Sequence, residues 1–81
     1  MSSKEIAAEI VSAVGKTNIK EVTHCATRIR FNVENKKMIA KSNIEALDVV
    51  KGTLILNNQF QVFIELSEIQ SIYDAILEIV Q

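Results

Sequence analysis

The chain has no proline, no tryptophan, two glycines, one cysteine and one histidine in 81 residues. A single cysteine cannot close an internal disulfide, so the fold must stand on its packed core, and a reducing cytosolic setting is expected. The two glycines, Gly15 and Gly52, are isolated and form no Gly-rich phosphate loop. One cysteine beside one histidine supplies too few ligands for a metal, and no cofactor is expected. Neither sign of charge is in excess: 9 Lys and Arg against 10 Asp and Glu give a net charge of −1, which offers no general attraction to nucleic acid. Any anion must therefore be held locally. Long apolar runs are also missing. The charge-free stretch Thr53 to Ile64 is broken by Asn57, Asn58, Gln59 and Gln61 and is short of the roughly 20 residues of a membrane helix, so no direct membrane insertion is expected. The opening Met1 to Glu5 carries no apolar signal region, and no linker or internal repeat divides residues 1–81, so a single domain, monomeric in isolation, is expected.

What is present is ordinary globular material, 48% hydrophobic and 23% charged. A domain this small buries only about 60–65% of its unfolded surface, so its stability is modest. Ser2 followed by Glu5 fits a capping box, and Ile6, Ile10, Val11 and Val14 share one helical face before Gly15, which predicts a helix over Ser3–Val14. A polar connection at Lys16 to Asn18 leads to a short strand, Ile19 to His24. From Thr27 a second strand alternates, with Ile29, Phe31 and Val33 pointing one way and Arg28, Arg30 and Asn32 the other. Glu34 to Lys41 reads as a loop, and Ser42 with Glu45 as a second capping box for a short helix ending near Val49. Gly52 opens a strand at Thr53–Leu56, and Asn57-Asn58 provides a hairpin turn with positive φ into a strand at Gln59–Ile64. Ser67 with Gln70 reads as a third capping box, ahead of the apolar stripe Ile69, Ile72, Tyr73, Ile76, Leu77 and Val80. The order α-β-β-α-β-β-α with short-linked hairpins predicts an α+β two-layer sandwich: a four-stranded antiparallel sheet, three helices on one face, and the other face open.

The only cysteine, the only histidine and the only two arginines fall within His24 to Arg30. Cys25 sits at a strand end among polar and cationic neighbours. A lone cysteine is by residue type as often a small buried hydrophobe, but nearby positive charge lowers a thiol's pKa, and this context favours a nucleophile. Arg28 and Arg30, two residues apart on one strand face, lie about 6.6 Å apart along the strand, close enough to share one phosphate-sized anion; beside Cys25 an anion site stands level with a plain solvated strand face. Thr27 can donate its hydroxyl to the same anion or be present for β-propensity. His24 can add charge or exchange a proton. Adjacent strand residues point to opposite faces, however, so it can equally be packed or solvated.

Several cysteine chemistries do not fit. A tyrosine-phosphatase loop needs arginine where Phe31 stands, and a thioredoxin-like pair needs a second cysteine where Arg28 stands. Two possibilities remain: a cysteine that accepts an anionic group, phosphoryl foremost, and a redox-sensing thiol.

The string Asn18-Ile19, then Val22-Thr23-His24-Cys25-Ala26-Thr27-Arg28-Ile29-Arg30-Phe31, resembles the phosphorylation-site signature of the enzyme IIB domains of the bacterial phosphoenolpyruvate-dependent sugar phosphotransferase system, glucose/sucrose family. Gly52 with its strand, Gln59-Phe60-Gln61-Val62, and Ile72-Tyr73-Asp74-Ala75-Ile76 are similar to the later segments of that family in order and spacing. The resemblance implies that Cys25 takes a phosphoryl group from the phosphohistidine of a IIA partner and passes it to a sugar held by a membrane IIC partner. It further implies that Arg28, Arg30 and Thr27 handle the phosphoryl group at the inner face of the cell membrane. An alternative use of the same phosphocysteine is to regulate a transcription regulator or transporter. Asn58 and Glu65 stand where many relatives carry glycine. Histidine before the cysteine leans toward the sucrose, trehalose and β-glucoside branches.

Overall fold

A computed structural model describes all 81 residues. Helix α1 spans Ser3–Val14, and its capping box forms as expected: Glu5 N–H donates to Ser2 Oγ at 3.1 Å and Ser2 N–H to Glu5 Oε1 at 2.9 Å. The helix stops at Gly15, whose φ of +97° lies in the left-handed region, and a Cβ there would come within 3.2 Å of Asn18 Cβ. The backbone conformation calls for glycine at this point, and a side chain would in addition press on Asn18. The connection at Lys16–Asn18 is a short 3₁₀ turn, and strand β1 runs Ile19–His24.

Asn18 ties three elements together. It is buried, and its Nδ2 donates to Val14 O at 3.0 Å and Asn35 O at 2.9 Å while its Oδ1 accepts from Asn35 N–H at 2.8 Å. A buried amide is tolerated because every one of these groups is paired. The result fixes where β1 begins and where strand β2, Arg28–Val33, ends.

The remaining elements are α2 at Lys41–Glu45, β3 at Val50–Leu56, β4 at Gln59–Ile64 and α3 at Ile69–Val80. The four strands form one antiparallel sheet in the order β1-β2-β4-β3, so the two hairpins meet along β2 and β4. Its inner face carries Ile29, Phe31 and Val33 from β2 and Phe60, Val62 and Ile64 from β4, all at most 2% exposed. These pack with the apolar faces of α1, α2 and α3 into one cluster of 18 buried residues. The predicted α+β two-layer architecture is the observed one.

Local differences have physical causes. The second and third capping boxes do not form. Helix α2 begins one residue before Ser42, with Ala40 at its N-cap and no side-chain cap, because Ala40 N–H is held by Ala13 O at 2.8 Å. The Glu45 carboxylate instead accepts from Thr53 Oγ1 at 2.7 Å. The helix closes at Glu45 rather than near Val49, and the predicted loop from Glu34 to Lys41 contains a 3₁₀ turn at Lys36–Met38. Ser67 lies inside a 3₁₀ turn, Leu66–Glu68, ahead of α3, and Gln70 donates to Asp74 at 2.9 Å. Strand β3 starts earlier than Gly52 because Val50 pairs with Ile64, and an exposed ion pair, Lys51 Nζ to Glu65 Oε2 at 2.9 Å, flanks that pairing. Glu65 is thereby neutralised locally, an arrangement that contributes little stability at the surface. In the β3–β4 turn only Asn57 takes positive φ, at +55°.

Candidate functional site

Cys25 opens the three-residue connection between β1 and β2. Its N–H donates to Arg28 O at 3.0 Å, closing the turn, and Thr27 O accepts from Ile64 N–H at 3.3 Å, fastening the loop to the end of β4. The thiol is partly exposed, with Sγ 3.5 Å from Thr27 Oγ1. The Thr27 N–H, first of all, and then the Thr27 hydroxyl draw the thiol pKa down from 9.0 to about 6; burial opposes them, and the Arg28 N–H and the charge of Arg30 lower it by lesser amounts. Successive N–H groups aimed at one atom form an anion-binding concavity, so a thiolate and the oxygens of a group attached to it are both favoured here.

This geometry makes alkylation a direct test. The rate of Cys25 modification by iodoacetamide should rise with pH around a midpoint near 6, rather than near the roughly 8.5 of an ordinary thiol. Thr27→Val should move that midpoint upward while keeping the Thr27 N–H; an unchanged midpoint would remove the Thr27 hydroxyl from the site. The same shift favours the folded state fully above the unfolded thiol pKa of 9.0, and the contribution is lost as pH falls toward about 6.

The arginines stand on the open face but are held differently. Arg28 Nη1 donates to Gln61 Oε1 at 2.7 Å and its guanidinium lies 4.7 Å from the centre of the Phe63 ring. Its Nε is buried without an acceptor, so the stack and the single strong hydrogen bond fix its pose. Arg30, opposite Gln61 in the β2–β4 register, makes no side-chain hydrogen bond or ion pair and is only half-buried. One guanidinium is anchored and the other is available to an incoming anion.

His24 is placed apart from them. It pairs with Ile29 in the β1–β2 register and so faces the helices, where its ring lies 4.3 Å from that of Tyr73 on α3. Its Nδ1 is 3.2 Å from Cys25 O, so it braces the loop from the inner side, on the opposite face of the sheet from the guanidiniums.

Sequence reasoning missed Gln61 and Phe63. Their alternation with Phe60 and Val62 was visible, but contact with Arg28 depends on β4 lying beside β2, a pairing between hairpins that no turn signal encodes. Gln61 is 4% exposed, and the face expected to be open is here partly covered by its own side chains. The largest concavity, about 780 Å³, is at the other end of the sheet around Lys20, Asn57 and Asn58, away from Cys25.

Comparison with known proteins bears on the family and the fold. Residues 8–39, which include the whole turn and both arginines, match the family model described as phosphotransferase system, EIIB. The chain is 34% identical over 77 residues to the sucrose-specific EIIBCA component of Pediococcus pentosaceus, covering 95% of this chain and 12% of that protein. It is 40% identical over 68 residues to the trehalose-specific EIIBC component of Bacillus subtilis, covering 83% of this chain and 14% of that protein. The chain thus spans less than a fifth of the length of these curated relatives. A crystal structure of one domain of the PTS system IIabc component from Clostridium difficile superposes with a TM-score of 0.88 at 30% identity, covering 94% of this chain and 80% of that one. Sequence, fold and the extent of that overlap agree: the chain belongs to the EIIB family of the sugar phosphotransferase system.

Proposed function

We propose that Cys25 is a phosphoryl carrier, loaded by the phosphohistidine of a IIA partner and discharged onto a sugar held by a membrane IIC partner, with residues 1–81 acting as one IIB unit. The observation that carries this reading is a thiol with its pKa drawn down to about 6, at a turn whose open side presents one anchored and one unengaged guanidinium. The relatives' names, EIIBC and EIIBCA, support partners of the IIC and IIA kinds.

In the loading step the Cys25 thiolate attacks phosphorus, an S–P bond forms and the P–N bond breaks, and the electron pair of that bond returns to the donor imidazole. In the discharge step a sugar hydroxyl attacks, an O–P bond forms, the S–P bond breaks, and the thiolate is regenerated while the hydroxyl proton leaves to a base. A loose phosphoryl-transfer transition state spreads negative charge over three oxygens, and preorganised donors lower its energy. The N–H groups of Thr27 and Arg28 and the guanidinium of Arg30 meet that requirement from one side of the sheet.

The test is passage of labelled phosphate from phosphoenolpyruvate, through the general proteins and a validated IIA, onto this domain. A wild-type chain that takes no label under those conditions would sink the reading. Arg28→Lys should still accept label but pass it to sugar about tenfold more slowly, because an ammonium cannot reproduce the planar fork that bonds Gln61 and stacks on Phe63. Equal discharge rates for the two proteins would show that Arg28 has no part in the transfer.

A further inference from the structure

The hydrogen bond from Arg28 to Gln61 is the first link of a longer series. Gln61 Nε2 donates to Gln59 Oε1 at 2.7 Å, Gln59 Nε2 donates to Asn32 Oδ1 at 3.1 Å, and Asn32 Nδ2 donates to Glu21 Oε1 at 2.9 Å. The sheet places these groups in reach of one another, since Asn32 is opposite both Gln59 on β4 and Glu21 on β1. All five residues lie on the open face, and the series runs from beside the site to Glu21 in the middle of β1.

The two ends of the series differ in kind. A guanidinium can only donate and a carboxylate can only accept, whereas each carboxamide between them has two ends of nearly equal shape and can be turned either way. With Arg28 at one end and Glu21 at the other, a single orientation of all three amides satisfies every link. Reversing Gln61 would aim its NH₂ at the guanidinium in a position only 4% exposed. A donor left facing a donor there is costly, and aligned hydrogen bonds also polarise one another, so the orientation of one amide depends on the rest.

We propose that Glu21 is a positioning residue for Arg28, the accept-only terminus of a one-way hydrogen-bond chain that sets the orientation of Gln61 and through it the pose of the guanidinium. The chain itself is independent of the chemistry at Cys25; its effect on rate rests on the phosphoryl-carrier reading. Glu21 touches neither the thiol nor its loop, and it acts only through Asn32, Gln59 and Gln61.

The experiment uses three proteins: wild type, Glu21→Gln, and the double variant Glu21→Gln with Asn32→Asp. In the single variant residue 21 presents one donor end and one acceptor end, so the far terminus no longer imposes the direction of the chain and only Arg28 does. In the double variant an accept-only carboxylate is restored one link earlier, where it receives Gln59 Nε2. Side-chain amide signals of Gln59 and Gln61 in nitrogen-15 NMR spectra should shift in the single variant and return toward wild type in the double. The rate of phosphoryl passage should fall about threefold in the single variant, as expected for one modest hydrogen bond, and recover in the double. The fall should persist in roughly 0.5 M salt, where a through-space effect of an exposed charge is screened. Gln59 and Gln61 signals unchanged by Glu21→Gln, a double variant that fails to restore them, or a rate loss that vanishes with salt would each overturn the proposal. If the wild type takes no label, the carrier reading fails, and the amide signals alone decide whether the chain is directional.

Discussion

Cys25→Ser is expected to take essentially no stable label from a phosphorylated IIA donor, a loss on the order of a thousandfold or more relative to wild type. The reason is chemical. Thr27 N–H and its partners stabilise a sulfur anion enough to bring the thiol pKa to about 6, whereas a serine hydroxyl remains almost wholly protonated at neutral pH and has no positioned base in this turn to take its proton. The turn should survive the change. It is closed by Cys25 N–H to Arg28 O and by Ile64 N–H to Thr27 O, which are backbone bonds, so at about pH 5, where the thiol is protonated folded and unfolded alike, denaturant unfolding of the variant should match wild type within about 0.5 kcal/mol. Retention of label by a folded serine protein would place the acceptor elsewhere and remove the basis of the carrier reading.

The second large effect concerns the strand that carries the arginines. Phe31→Ala should lower stability by about 4 kcal/mol, with a fall in melting temperature of roughly 20 °C for a domain of this size. Phe31 is fully buried on the inner face, its ring 6.4 Å from that of Phe60, at the seam where the two hairpins meet. Removing it leaves a void where β2 and β4 jointly face the helices. A small domain with a total stability near the low end of the usual 5–15 kcal/mol has little margin for that loss. Thermal unfolding followed by circular dichroism reads the effect directly; a fall below about 5 °C would mean that the seam repacks and is not the centre of the core.

These two changes show what was legible beforehand. Alternation sorted Arg28 and Arg30 from Ile29, Phe31 and Val33, and the placement of Cys25 at the turn followed from the end of the preceding strand. Helix α1 was readable because its cap, apolar face and glycine stop agree with one another. The other two caps were misread because a serine three residues before an acid or amide is a local signal. At Ser42 the start of the helix is instead set by Ala40 docking on Ala13, and at Ser67 by a 3₁₀ turn. The partners of Arg28 were hidden for a related reason: Phe63 and Gln61 belong to the other hairpin, and only the order of strands brings them under the guanidinium. Local chemistry wrote the candidate nucleophile and tertiary pairing wrote its support.

The sheet keeps the groups that would meet a phosphoryl group on one side and the 18-residue core on the other. A phosphoryl group arriving on Cys25 would add its charge to the watered side, where Arg30 is unengaged, while Phe31 and its neighbours keep their packing. The core packing should then be the same with the group on or off. If Cys25 carries the group as proposed, little of the donor's transfer potential would be lost to rearranging the protein, and what is received at the thiol would remain available to the next acceptor.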